Sequence, residues 1–361
     1  MTDALTIYAP GHFDPYDSYG MIACELVRHL DALGVWVNAM GLGDRVVDTQ
    51  PDDVRAVTSR PIRPTLGGIL LGYPTGYHRY GPLAAHGLRI AVTMFESTRL
   101  PPGWAESLNT CDAVVVPSRW LVDVFREHGV TAPLHVVPLG LDEVFQPAAR
   151  PSNREPFTFL TLRDRGRRKG GIWAEQAFVR AFGDDPGVRL IEKARDPKAF
   201  GIQATNENID IIQRDMTPGE LYELYLSCDA LVNPNMGEGF GLVPREFAAT
   251  GGITLATDWG GTADDISVWG IPLPHGMTRA DYQARNLAGY DLGEWAMPDL
   301  DALAHIMRDV VEHREAYQTR AETNAPRVRA MYSWRRFAEG VLNIWREAVH
   351  GYSYAAGAPA R

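Results

Sequence analysis

Short apolar, β-branched runs alternate with stretches of helical period along most of the chain. Residues 5–9, 35–39, 69–71, 90–94, 113–116 and 134–137 make one series of such runs, and residues 157–162, 188–192, 209–213, 230–233 and 253–256 make a second. The runs are continuous rather than alternating, which is the pattern of strands covered on both faces, so each series predicts a parallel sheet flanked by helices. Between them, Ile22, Leu26, His29, Leu30 and Leu33 share one helical face, and residues 172–182 and 218–228 read as further helices. Thr217 and Glu220 offer a capping box for the last of these. A late helix over residues 334–348 gathers Trp334, Phe337, Val341, Ile344 and Trp345 on one side, a stripe that must pack into a core. The predicted class is α/β, with two Rossmann-like sheets facing a cleft. Ligands of such sheets bind beyond the carboxyl ends of the strands. The loops after Ala9, Met94, Val116, Leu162, Gln213 and Asn233 are therefore expected at the cleft.

The two series part at F-Q-P-A-A-R-P-S-N-R-E-P, residues 145–156, which has three prolines and no periodicity. The expected organisation is an N-terminal domain over 1–147, a linker over 148–156, a second domain over 157–330, a last helix over 331–350 and a frayed tail over 351–361. A length of 361 residues with 45% apolar content accommodates two cores. The N-terminus shows neither a basic segment nor a long apolar one, and no run approaches the ~20 residues of a membrane span. Cys24, Cys111 and Cys228 are scattered, which argues against a disulfide scaffold or a structural zinc and points to a cytoplasmic protein. The net charge of −10 disfavours a polyanion partner, although Arg60, Arg63, Arg79, Arg89 and Arg99 fall in the first domain.

The chemistry concentrates in N-P-N-M-G-E-G-F-G-L-V-P-R-E-F-A-A-T-G-G, residues 233–252. Gly237, Gly239 and Gly241 let a ligand approach the backbone. The helix that begins just beyond them aims free N–H groups and a positive dipole end at the same point, which is an anion site. Glu238 lies on the turn and Glu246 one to two turns into the helix, where their carboxylates can accept from hydroxyls on either side of that anion. A ligand with hydroxyls, a charged centre and more hydroxyls describes a nucleotide sugar.

These residues resemble the GT-B-fold retaining glycosyltransferases, glycosyltransferase family four in particular. That family carries two glutamates eight residues apart in a pattern matched here by E-G-F-G-L-V-P-R-E-F-A-A-T-G. The resemblance continues in G-I-T-L-A-T-D-W-G-G (252–261), V-V-V-P-S-R-W (114–120), V-V-P-L-G-L-D-E-V-F-Q-P (136–147) and Y-S-W (332–334), the last similar to the start of the family's closing helix, which the resemblance implies packs back onto the first domain. L-R-D-R-G-R-R-K-G (162–170) is similar to the family's Arg and Lys pair that grips the donor diphosphate; Arg163 and Lys169 match best by spacing, with Arg165, Arg167 and Arg168 close by. The resemblance implies that Glu238 binds the donor sugar and Glu246 the ribose. It implies that Arg163 and Lys169 offset the leaving diphosphate, helped by the amides of Gly239, Phe240, Gly241 and Leu242. Neither metal nor cofactor is then required. Transfer of a hexose, with UDP-glucose or GDP-mannose as the expected donor, would retain the anomeric configuration.

The N-terminal side departs from the family. G-H-F-D-P-Y-D-S-Y-G (11–20) replaces the usual Gly-Gly loop and leaves Gly20 as the glycine for the phosphates, with His12 an acceptor-side candidate. M-F-E-S-T-R (94–99) stands where many members carry a histidine, which makes Glu96 a second acceptor-side candidate. Asp14 and Asp17 also read as turn residues, and Asp299-x-Asp301 reads as a helix cap rather than a metal motif. The expected acceptor is a glycan, a lipid-linked sugar or a small metabolite, with a hydroxymethylated DNA base as a minor alternative. A phosphorylase would need a spare lysine for pyridoxal phosphate, which only Lys193 and Lys198 could supply. A non-catalytic nucleotide-sugar-binding module is the remaining alternative.

Overall fold

The computed structural model describes residues 4–41, 49–80, 87–151, 153–163, 166–195, 204–282, 284 and 286–357. The chain divides into two compact units. One comprises Met1–Phe95, Leu100–Gly140 and Ser333–Arg361, the other Glu96–Arg99 and Leu141–Tyr332.

In the first unit, β1 (Ala4–Ala9), β2 (Trp36–Gly41), β3 (Gly67–Leu71), β4 (Leu88–Val92), β5 (Ala113–Val116) and β6 (Leu134–Val136) form one sheet in the order β2-β1-β3-β4-β5-β6. Every pairing is parallel. All residues of β1, β3 and β5 are buried, as their unbroken apolar runs require. The helix Ser18–Ala32 starts at Asp17, whose side chain accepts from the Gly20 amide. The C-terminal helix Trp334–Gly357 packs against it, with Trp334, Phe337, Val341, Ile344 and Trp345 buried as their spacing foretold. That helix runs past Gly351, where the sequence reading ends it.

The second unit repeats the plan. Its strands β7 (Phe157–Arg163), β8 (Val188–Ala194), β9 (Ile209–Gln213), β10 (Ala230–Asn233), β11 (Ile253–Thr257) and β12 (Ile271–Leu273) order as β12-β11-β10-β7-β8-β9, again all parallel. Alternate side chains feed two cores. Phe157, Phe159, Ala230, Val232, Ile253 and Leu255 face one, and Leu160 and Leu231 face the other. Thr217 and Glu220 form the expected capping box on helix Pro218–Ser227. An antiparallel hairpin, β13 (His275–Arg279) with β14 (Glu294–Pro298), is added to this unit.

Candidate functional site

The topology of the second unit selects a place for a ligand. The strands that follow β7 spread to one side of it, and those that follow β10 spread to the other. The carboxyl ends of β7 and β10 are therefore a switch point, where loops diverge and leave a crevice. The two loops that rise there, 166–170 and 234–241, are tied together. The Met236 amide donates to the Arg168 carbonyl at 2.7 Å, and the Trp173 indole N–H lies 3.3 Å from the Met236 sulfur. Gly170 holds a φ of 88° immediately before helix Gly171–Phe182, and a Cβ there would collide with the Pro234 carbonyl. Only glycine suits that position.

This junction brings several predicted residues together. Lys169 Nζ donates to Glu238 Oε1 at 2.7 Å. Arg168 reaches the same carboxylate at 3.7 Å and donates to the Gly237 carbonyl at 2.5 Å. Beyond Glu238, the backbone N–H groups of Gly239, Phe240 and Gly241 have no hydrogen-bond acceptor among the described residues. Gly241, with a φ of 85°, then starts helix Leu242–Ala249. Two cations, three successive open amides and a helix start are the makings of an anion receptor.

Glu246 stands on the second turn of that helix. The Tyr225 hydroxyl donates to its Oε2 at 3.2 Å. Desolvation lifts the Glu246 carboxyl to about 7, the Tyr225 hydrogen bond opposes that rise, and Asp142 adds to it. Glu246 as a whole residue is half-buried.

Arg163 is placed differently from Lys169. Its Nη1 donates to Glu175 Oε2 at 2.8 Å and to Glu192 Oε2 at 2.5 Å, two carboxylates that are almost wholly buried. Burial works against the guanidinium charge, and the two carboxylates outweigh it, so Arg163 is held protonated. Its Nε and Nη2 make no hydrogen bond among the described residues. Arg167 is exposed, 3.5 Å from Asp281, and Arg165 lies outside the described residues.

The segment Glu96–Arg99 belongs to the second unit, although the residues on both sides of it belong to the first. The Thr98 and Arg99 amides donate to the carbonyls of Glu294 and Leu292 at 3.3 and 3.2 Å, which adds this short strap to the hairpin. A Cβ on Gly237 would collide with the Glu96 carbonyl and the Trp295 ring, so the strap runs directly over the motif loop. The Tyr282 hydroxyl lies 3.4 Å from Glu96 Oε2 and 3.3 Å from Ser97 Oγ.

Gly20 belongs to the first unit. Its amide goes to Asp17, and a Cβ would collide with the Asp14 carbonyl. Asp14 accepts from the Tyr16 amide at 3.1 Å and Asp17 caps a helix, so both have turn and cap roles. His12 lies in the short 3-10 turn Pro10–Phe13, and its side chain is outside the described residues. Asp299 caps helix Leu300–Glu312 through the amides of Asp301 and Ala302. Lys193 is buried on β8, and Lys198 lies outside the described residues. No cluster of metal-binding type occurs among the described residues. Three of the first-series arginines are committed: Arg60 to Asp31, Arg89 to the Thr110 carbonyl and Arg99 to Asp291.

Sequence reasoning passes over the residues that hold this site from behind. Arg245 sits inside the motif, yet nothing in the local pattern says that it is buried. Its partners Asp265 and Tyr332 lie 20 and 87 residues away. Tyr225 is a helix residue whose hydroxyl gives no local signal.

Solved structures of other proteins share this architecture. The sucrose-phosphate synthase of Thermosynechococcus elongatus superposes with a TM-score of 0.69 over 96% of this chain and 99% of its own, at 15% identity. The chain has the GT-B glycosyltransferase fold. A second GT-B structure, the α,α-trehalose 6-phosphate synthase of Burkholderia multivorans, matches with a TM-score of 0.68 at 13% identity over 100% of both chains. Among curated sequences, the D-inositol 3-phosphate glycosyltransferase of Mycobacterium tuberculosis is 27% identical over 247 residues. That alignment covers 64% of this chain and 47% of the relative, so the GT-B chain spans about half the length of the curated relatives it matches. No protein-family model matches it. Among the described residues, no helix is long and apolar enough to cross a membrane.

Proposed function

We propose that the chain is a retaining glycosyltransferase that moves a hexose from a nucleoside diphosphate sugar to a hydroxyl, with neither metal nor cofactor. The observation that carries this reading is the junction of β7 and β10. There Lys169, 2.7 Å from Glu238, stands beside the open amides of Gly239, Phe240 and Gly241. The diphosphate sits against those amides and the helix start. Lys169 and Arg168 meet its charge, and Arg163 presents Nε and Nη2 from the carboxyl end of β7. Glu238 accepts from a hydroxyl of the donor sugar, and Glu246 accepts from the ribose.

The glycosidic bond to the diphosphate breaks with its electron pair leaving on the phosphate oxygen. The amides and cations stabilise that oxygen as charge develops on it. The acceptor hydroxyl attacks from the same face, and its proton passes to the departing phosphate. Retention follows without a separate base. The charge available from Lys169 and Arg168 removes the need for a divalent ion in this scheme.

UDP-glucose and GDP-mannose are the first donors to test. The relatives are named for a phosphorylated polyol and for phosphorylated disaccharides, so phosphorylated polyols and sugars lead the acceptor screen, ahead of glycans and lipid-linked sugars. Arg60, Arg89 and Arg99 are paired within the chain, so a hydroxymethylated DNA base ranks behind these acceptors. The test is slow donor hydrolysis followed by proton NMR, with and without EDTA. Release of the α-anomer from an α-linked donor, unchanged by EDTA, is expected. The β-anomer refutes retention, loss of activity with EDTA refutes metal independence, and failure to bind any donor refutes the reading.

A further inference from the structure

Arg245 immediately precedes Glu246 and is itself completely buried, at 0% exposure. A guanidinium out of water costs several kcal/mol unless its donors are matched. Here the match is full. Nη1 donates to the carbonyls of Phe240 and, at 3.1 Å, Gly241; Nη2 donates to the Gly261 carbonyl at 2.9 Å and to Asp265 Oδ1 at 2.5 Å; Nε donates to the Tyr332 hydroxyl at 3.0 Å. The guanidinium carbon lies 4.2 Å from the Phe240 ring centroid and 5.1 Å from that of Trp269. Asp265 is fixed in turn by the Trp269 indole N–H at 2.7 Å and by the Tyr332 hydroxyl.

The three carbonyls come from two separate turns, 239–241 and 260–262. In a trans peptide the C=O and the following N–H point in opposite directions. With the oxygens of Phe240, Gly241 and Gly261 turned onto Arg245, the N–H groups of Gly241, Leu242 and Thr262 are directed away from it. An anion receptor needs that orientation fixed before the ligand arrives, because reorganising peptide planes at binding wastes affinity.

We infer that Arg245 is the positioning residue of the proposed donor site: it locks the two glycine turns together and orients the Gly241 and Leu242 amides at the helix start, where the diphosphate is proposed to sit, without touching the ligand itself. This rests on the donor reading above. Lysine cannot replace it, since one ammonium group lacks the flat fork that spans both turns.

The test measures calorimetric affinity for UDP and GDP beside ligand-observed NMR affinity for uridine and guanosine, in wild type, R245K and Y332F. Wild type that binds neither diphosphate overturns the donor reading, and this inference with it. Given wild-type binding, R245K is expected to weaken the diphosphate about 10–100-fold while the nucleoside stays within about twofold. Y332F, which removes one oxygen and keeps the ring, is expected to lose about 3–10-fold with the same selectivity. Unchanged diphosphate affinity in R245K, or in Y332F should R245K not fold, overturns the inference. So does an equal loss for nucleoside and diphosphate, which marks a merely structural role.

Discussion

Glu246→Gln separates what the Glu246 carboxyl costs the fold from what it gives the ligand. The ordinary value for this carboxyl is 4.5, and desolvation lifts it to about 7 in the folded chain. The folded state therefore binds the proton more tightly than the unfolded state. Below pH 4.5 the group is protonated in both states and nothing is lost. As pH rises from 4.5 to about 7 the unfolded chain ionises first and stability falls; above that the penalty is complete. A rise of this size corresponds to about 3 kcal/mol, and the partial exposure of the residue as a whole discounts it to about 2–3 kcal/mol. Glutamine stays neutral at every pH. The variant should match wild type near pH 4.5 and exceed it by about 4–12 °C in melting temperature at pH 8. Its affinity for UDP or GDP, whichever wild type binds, should fall about 10–150-fold at pH 8, the value of hydrogen bonds to a charged acceptor. The nucleotide phosphate titrates near neutrality too, so the wild-type-to-variant ratio is the quantity to follow. Fluorimetric melting from pH 4.5 to 8.5 and calorimetry at pH 6 and 8 supply both readouts. A stability gap that does not change with pH refutes the raised carboxyl. A gap that opens as expected, with no loss of affinity, refutes the ribose contact alone.

Lys169→Ala should lower turnover about 10²–10³-fold with a smaller effect on donor affinity, since its charge matters most as the phosphate leaves; steady-state rates that stay unchanged refute the diphosphate role. Arg163→Met should cost about 3–5 kcal/mol at pH 8 by stranding Glu175 and Glu192. The deficit should shrink at pH 5, because burial already raises the Glu192 carboxyl and lets it take up a proton, so equal melting deficits at the two pH values contradict the buried triple. Gly237→Ala should cost about 1–3 kcal/mol by pushing the strap off the motif loop. Hydrogen exchange at the Thr98 and Arg99 amides should quicken, and unaltered protection there refutes the contact.

What local pattern reveals about this chain is what one segment can decide by itself. The strands of both sheets except β12 (Ile271–Leu273) were legible because burial on two faces demands apolar runs, and their ends shifted by only a residue or two. The hairpin was not legible: H-G-M-T-R holds no apolar run, E-W-A-M-P holds only three apolar residues, and β13 is mostly exposed, so its pairing with β14 is a tertiary decision. Helix Arg314–Met331 was hidden by its polar composition and by Pro326, with Gln318, Ala325 and Val328 its buried side chains. The same distinction runs through the site. Glu238, Glu246 and the glycines stand in one motif and Lys169 in a second, and the spacing within each carries the chemistry. Arg163 shows the limit of spacing, which found a basic residue at the carboxyl end of β7 but not the acids 12 and 29 residues on that occupy one of its nitrogens. Arg245 shows it more sharply. In sequence it is a charged residue on a helix, which ordinarily means a solvated face. In the fold it is the most enclosed cation of the motif, because Asp265 and Tyr332 arrive from distant segments to neutralise and cap it. The groups proposed to meet the ligand are thus written locally, while the groups that hold them in place are set by contacts between distant segments.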